Sequence, residues 1–262
     1  MSDRQIAKMM NPEFRAIVVD LFDTLVRWEP ERLPLIEING RPTRTTMPWI
    51  FPRLRQRLGG AFDQNGFIDI YTRVLEEIGL EREREGIEIT CRERFVRTLA
   101  RLSAVSAEET EEFAEELTRI HMNQVRAVTT APNGRVEAVR RLAPHYRLGL
   151  LSNFDDAQCG REVLADTGVA DFFEAVIISA EVRLRKPDPR IFRRMLEMLE
   201  LGPHEVLFVG DTPRDDVWGA DQVGIPTVWI SKGAAMLPDG IPRPRFIINE
   251  LSELPRVLGL SF

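Results

Sequence analysis

Short, wholly apolar runs alternate with amphipathic stretches over most of the chain. Runs of β type fall at 16–19, 148–151 and 206–209, each followed at once by a polar or glycine-containing turn. Residues 175–178 and 227–230 repeat the pattern, and 246–248 has the length of a short edge strand. Continuous rather than alternating hydrophobicity predicts strands covered on both faces, as in a parallel sheet. Helical patterns lie between them, at about 133–143, 155–167, 188–200 and 213–223. Pro132-Asn133-Gly134 opens the first, and Gly168 and Gly202 stand where helix C-termini are expected. Strand–helix alternation implies βαβ crossovers and a doubly wound, Rossmann-like α/β core.

Residues 28–128 break the alternation. Their later part reads as helices at 67–78, 90–102 and 107–125, and Ser106-Ala107-Glu108-Glu109 is a capping-box signature before the last. The earlier part, 29–52, holds five prolines and reads as an irregular excursion. The expected organisation is a core of 1–27 plus 129–262, with an α-helical insertion of 28–128 after the first strand.

Composition narrows the class without naming a function. With 262 residues, 44% hydrophobic and 29% charged, the chain is an ordinary globular protein able to bury a sizeable core. A net charge of −6 argues against nucleic-acid binding, which needs a basic face. The start, MSDRQIAKMM, lacks a signal-peptide core, and there is no run of 18 apolar residues, so no membrane association is expected. Two cysteines, Cys91 and Cys159, without metal-ligand spacing suit a reducing cytoplasm. Only three lysines occur, Lys8, Lys186 and Lys232, which makes each easy to scrutinise.

Ligands of open parallel sheets bind at the carboxyl ends of the strands. There the sequence collects Asp20 and Asp23, then Ser152-Asn153 with Asp155 and Asp156, then Asp211-Thr212 with Asp215 and Asp216; Lys186 precedes a helix. Each alone has a bland explanation: a turn former, a helix cap or a solvated lysine. Together they form a complementary set. Clustered carboxylates suggest a hard cation such as Mg²⁺. A hydroxyl and backbone N–H groups suit an anionic oxygen, and a lysine offsets phosphoryl charge. A carboxylate is also a competent nucleophile toward phosphorus. The set reads as metal-assisted phosphoryl transfer through an aspartyl intermediate.

In this order the residues resemble the haloacid dehalogenase superfamily. Asp20-Leu21-Phe22-Asp23-Thr24-Leu25 is similar to its first motif and Leu151-Ser152-Asn153 to its second. Lys186-Pro187-Asp188-Pro189 is similar to the third, and Gly210-Asp211-Thr212-Pro213-Arg214-Asp215-Asp216 with Gly219-Ala220 to the fourth. The insertion after the first motif resembles the helical cap of subfamily I. The resemblance implies that Asp20 is the nucleophile and a metal ligand, and that the Phe22 backbone carbonyl is a second ligand. Ser152 and the Asn153 backbone would bind phosphoryl oxygens, and Lys186 would neutralise charge at Asp20. Asp211 would ligate Mg²⁺ directly, and Asp216, preferred to Asp215 for its spacing to Gly219-Ala220, would hold it through water or from behind the ligands. The implied activity is hydrolysis of a small phosphorylated metabolite.

One departure stands out. Phosphatases of this superfamily place an aspartate, the general acid, two residues after the nucleophile, where this chain has Phe22. Asp23 is no simple replacement, because neighbouring residues of an extended segment point to opposite sides. A 2-haloacid dehalogenase also lacks that acid but lacks the fourth-motif metal aspartate, here Asp211. A phosphonatase needs a cap lysine, and residues 21–130 contain none. A catalytically weak binding protein on the same scaffold is opposed by the retained Asp20, Ser152, Lys186 and Asp211. His121, in an expected insertion helix, is either a packed histidine or a substitute acid. Trp28, Arg41, Arg44, Trp49 and Arg53 either line a substrate pocket or belong to a surface loop. Glu81-Arg82-Glu83-Arg84-Glu85 reads as a solvated mixed-charge segment. None of these features sets the oligomeric state.

Overall fold

The computed structural model describes residues 14–38, 40–102, 106–234 and 236–260; the MSDRQIAKMM start and Lys8 lie outside them. Ten strands occur among these residues: β1 Ala16–Val19, β2 Arg27–Trp28, β3 Leu35–Ile38, β4 Arg41–Arg44, β5 Thr129–Thr130, β6 Arg147–Ser152, β7 Phe173–Ile178, β8 Val206–Gly210, β9 Thr227–Ile230 and β10 Phe246–Ile248. Six form one sheet in the order β10-β9-β8-β1-β6-β7, with every neighbouring pair parallel. All six expected strands are present.

The side-chain alternation of β1 explains why both faces are covered. Ile17 and Val19 pack with Val136, Val139 and Val163 of helices α5 (Asn133–Leu142) and α6 (Ala157–Asp166). Ala16 and Val18 face the other way, onto Ile191, Phe192 and Met195 of α7 (Pro189–Leu199). Successive strand residues point to opposite faces, so a continuous apolar run feeds two cores at once. Each fully buried aliphatic side chain contributes about 1.5–3 kcal/mol.

Between β1 and β6 the chain builds α1 (Met47–Leu58), α2 (Gln64–Glu85), α3 (Cys91–Leu102) and α4 (Ala107–Ala127). The strands at the exit and return, β2 and β5, pair antiparallel, with Trp28 opposite Thr129. The fold is therefore a doubly wound parallel sheet carrying an α-helical cap. Ser106 opens α4 with the expected capping box: its hydroxyl accepts from the Glu109 N–H and the Glu109 carboxylate accepts from the Ser106 N–H.

Four local expectations change. Residues 29–52 are not irregular: β3 and β4 form a hairpin, and α1 starts at Met47 despite Pro48 and Pro52. Pro48 falls in the first turn, where no intrahelical donor is lost. The 81–85 run continues α2 and is not wholly solvated, because Arg82 turns inward onto Glu88 and Asp155. Gly202 does not cap α7, since the left-handed position is Glu200, at φ 52°. Residues 213–223 are not one regular helix: a π-helical turn, Pro213–Trp218, precedes Gly219–Asp221.

Candidate active site

The site follows from sheet order. β1 lies between β8 and β6, so Asp20, the residue after β1, falls between Asp211 after β8 and Ser152 at the end of β6. The Asp20 N–H continues the ladder by donating to the Val209 carbonyl at 2.9 Å. Asp20 is thereby fixed on the rigid part of the fold, which is where a reacting group is best held.

Carboxylate oxygens of Asp20, Asp211 and Asp216 lie within 4.8 Å of one another. Lys186 Nζ, buried with them, donates to Asp20 Oδ1 at 2.7 Å and to Asp216 Oδ1 at 2.6 Å. With all three carboxylates ionised, Lys186 and Lys232, the latter 2.9 Å from Asp211 Oδ2, still leave the group net negative, an arrangement suited to a hard cation with oxygen ligands. Burial pushes Asp20 up to about 7, helped by the charges of Asp216 and Asp211 and opposed by Lys186. Burial pulls Lys186 down, but Asp20 and Asp216 outweigh it and its net shift is upward. Asp211 is also raised, by burial and then by Asp216.

Of the two adjacent aspartates, Asp216 is the one that turns to Asp20. Its Oδ2 accepts from the Thr212 N–H at 2.9 Å, closing the turn after β8. A Cβ at Gly210 would lie 2.3 Å from the Asp216 carboxyl carbon, so only glycine lets that side chain approach the strand end. Asp215 instead accepts from Asn153 Nδ2 at 3.1 Å.

Ser152 is buried, and its Oγ has no hydrogen-bond partner among the described residues. A buried orphan hydroxyl at the mouth of a ligand site is a polar group waiting for a partner. The Asn153 side chain has a role that the sequence did not reveal. It accepts from the Lys186 N–H at 2.7 Å and donates to the Lys186 carbonyl at 2.8 Å, clamping the lysine-bearing loop.

Phe22, at the position where the motif lacks an acidic side chain, packs against Phe154 with ring centroids 4.6 Å apart and planes tilted by 31°. Asp23 is a turn residue at φ 61°, accepting from the Trp28 N–H at 3.3 Å. It also approaches Lys232, whose Nζ is 3.4 Å from Asp23 and 2.9 Å from Asp211 Oδ2. Lys232 was missed as a neighbour of the site; its only sequence signal was the scarcity of lysine.

His121 is no substitute acid. Its Nδ1 is 2.6 Å from Thr46 Oγ1, its ring packs edge-on against Phe95, and burial holds it down at about 3. Arg44 donates to the Leu33 carbonyl and Arg53 pairs with Glu116 through Nε and Nη2, while Trp28 and Trp49 are exposed. Arg41 sits at the exposed turn end of the β3–β4 hairpin.

The model of the haloacid dehalogenase-like hydrolase family matches residues 14–224. The chain belongs to this family. It is similar to a phosphoserine phosphatase of Thermus thermophilus, 30% identical over 230 residues that cover 84% of this chain and 89% of the relative. An N-acylneuraminate-9-phosphatase of Rattus norvegicus is 32% identical over 118 residues, about half of each protein (45% and 47%). Among solved structures, a 2-haloacid dehalogenase of Pseudomonas syringae pv. tomato superposes with a TM-score of 0.70 at 23% identity, over 94% of this chain and 98% of the other. A phosphatase of the family from Thermococcus onnurineus superposes with a TM-score of 0.61 at 21% identity, over 95% and 99%. These likenesses carry the shared hydrolase fold. No helix among the described residues is long and apolar enough to cross a membrane.

Proposed function

We propose that this family member is a Mg²⁺-dependent phosphatase of small phosphorylated metabolites. The observation that carries the reading is the convergence of Asp20, Asp211 and Asp216 around Lys186. Further carboxylates beside a nucleophile repel the anion being attacked unless a cation offsets them. The similarity to named phosphatases supports the same reading.

Asp20, Asp211, Asp216 and the Phe22 carbonyl would hold the cation, whose charge offsets that of the transferring phosphoryl oxygens. Asp20 forms an oxygen–phosphorus bond as the ester P–O bond breaks, and the leaving oxygen takes its proton from water. Water then attacks phosphorus in the aspartyl phosphate, releasing inorganic phosphate and regenerating the carboxylate. Ser152 Oγ and the Asn153 backbone bind the phosphoryl oxygens, and Lys186 compensates charge on the Asp20 side. Residues 28–128 act as the cap domain over the core of 1–27 and 129–262, excluding water and choosing the substrate. The two free, buried thiols, Cys91 and Cys159, support a cytoplasmic location.

Hydrolysis of p-nitrophenyl phosphate tests the proposal. Activity with Mg²⁺ is expected, and its loss both with chelator and in Asp20→Asn. Activity that survives both treatments overturns the mechanism. Halide release from 2-chloropropionate without metal replaces it with the dehalogenase reading, which the absence of an acid at Phe22 alone favours.

A further inference from the structure

Besides the ion pairs of Arg126 on α4 with Glu162 and Asp166 of α6, two attachments of the helical insertion to the core bear on the site. One is the covalent stem, where β2 pairs with β5. The other is the link between α2 and α3, residues 86–90, far from the stem in sequence.

This link makes backbone rungs with the segment that leads into Lys186. The Arg185 N–H donates to the Gly86 carbonyl at 3.1 Å, and the Glu88 N–H donates to the Arg183 carbonyl at 3.3 Å. Gly86 adopts φ +65°, and a Cβ there would lie 2.2 Å from Asp188 Oδ2, so glycine permits the approach. Glu88 is 1% exposed; its carboxylate takes the Ser179 hydroxyl at 2.6 Å, Arg82 at 2.6 Å and Arg185 at 3.5 Å. Ser179 Oγ in turn accepts from the Phe154 N–H at 2.9 Å.

The same part of the insertion grips the loop after Asn153. The Cys91 N–H donates to the Asp155 carbonyl at 2.8 Å, and Asp155 Oδ2 accepts from Arg94 at 3.0 Å and Arg82 at 3.4 Å. Arg94 and Glu88 are both buried, so these are desolvated charges that bind only in the docked geometry. The segment from Arg82 to Arg94 thus touches both loops that flank Ser152-Asn153 and Lys186, and Asn153 ties those loops to each other.

We propose that the α2–α3 link is a latch, with Glu88 and Asp155 as positioning residues, and that its docking aligns Ser152, Asn153 and Lys186 for phosphoryl transfer. The catalytic half of this statement rests on the phosphatase reading; the mechanical half does not. Released from the link, the 153–155 and 183–186 loops keep the Asn153–Lys186 clamp but lose the bonds to Gly86, Glu88, Cys91, Arg82 and Arg94, while Asp20 stays anchored by its ladder bond. Binding of substrate under the cap and alignment of the reacting groups become one event.

The amides of Phe154, Arg185, Lys186 and Glu88 all donate in this network, so hydrogen exchange reports it directly. In Glu88→Gln and Asp155→Asn, exchange at these amides is expected to accelerate about tenfold or more, with the β1 and β8 amides unchanged. If wild type hydrolyses the aryl phosphate, kcat should fall about tenfold or more, with a smaller change in KM and an unchanged Mg²⁺ half-activation. Ser179→Ala, which removes no charge, replaces a charge variant that fails to fold and should show the same local exchange signature. Exchange that matches wild type, or that accelerates equally across the sheet, overturns the latch. Wild type inactive on phosphate esters defeats the phosphatase reading, while the exchange result still decides the latch.

Discussion

Lys186 Nζ lies 2.7 Å from Asp20 Oδ1, in a buried pocket that Asp216 completes. The contact joins the ends of two distant chain segments and makes one ammonium responsible for two desolvated carboxylates. Lys186→Met should leave both uncompensated. Removing one partner of a buried pair costs about 3–5 kcal/mol, and loss of electrostatic stabilisation lowers kcat about 10²–10³-fold. Urea unfolding together with aryl phosphatase kinetics checks both effects; unchanged stability would mean the charges are not desolvated in solution.

Asp215 and Asp216 should separate cleanly. Asp216→Asn is expected to raise the Mg²⁺ concentration for half-activation about 10–100-fold, in line with the loss of a group supporting a metal site. Asp215→Asn should leave the metal requirement within about threefold, since its carboxylate is turned to Asn153. A metal titration of activity, or of intrinsic fluorescence without substrate, distinguishes them.

Phe22 predicts a leaving-group effect. Without an acid, wild type should favour aryl over alkyl phosphates strongly. Phe22→Asp should raise the alkyl rate by up to about 10²-fold and the aryl rate far less. It also breaks the ring contact with Phe154, at a cost of about 0.5–1.5 kcal/mol. Equal gains on both substrates would show that the new carboxylate does not act as an acid.

His121 predicts an acid-side loss of stability. Burial lowers its pKa from 6.5 to about 3 in the folded chain, so below pH 6.5 the unfolded chain binds a proton that the folded one refuses. Its contribution is complete above that pH and drains away toward pH 3, at about 1.4 kcal/mol per unit. Between pH 7.5 and 5 wild type should therefore lose about 2 kcal/mol more than His121→Asn, as measured by urea unfolding at both pH values.

Much of the site was legible because a parallel sheet places the residue after each strand on one edge. Asp20, Ser152 and Asp211 each follow an apolar run, and sheet order alone brings them together. Lys186 was legible from its motif, although its reach to both Asp20 and Asp216 was not. The Asn153 clamp and the nearness of Lys232 to Asp211 went unseen, because each joins segments far apart in the chain.

The sequence by itself determined the parallel α/β core, the place of the helical insertion and the set of groups at the sheet edge. Apolar periodicity and strand-end chemistry are local, and a βαβ chain has few ways to arrange them. Tertiary structure decided which of two adjacent aspartates faces Asp20, that 35–44 is a hairpin, and that Arg82 turns inward. The first and the last depend on side-chain direction and on partners 50 or more residues away, such as Lys186 for Asp20 and Asp155 for Arg82, whereas the hairpin pairs near neighbours such as Leu35 and Arg44. Desolvation and charge pairing select among such partners only once the chain has packed.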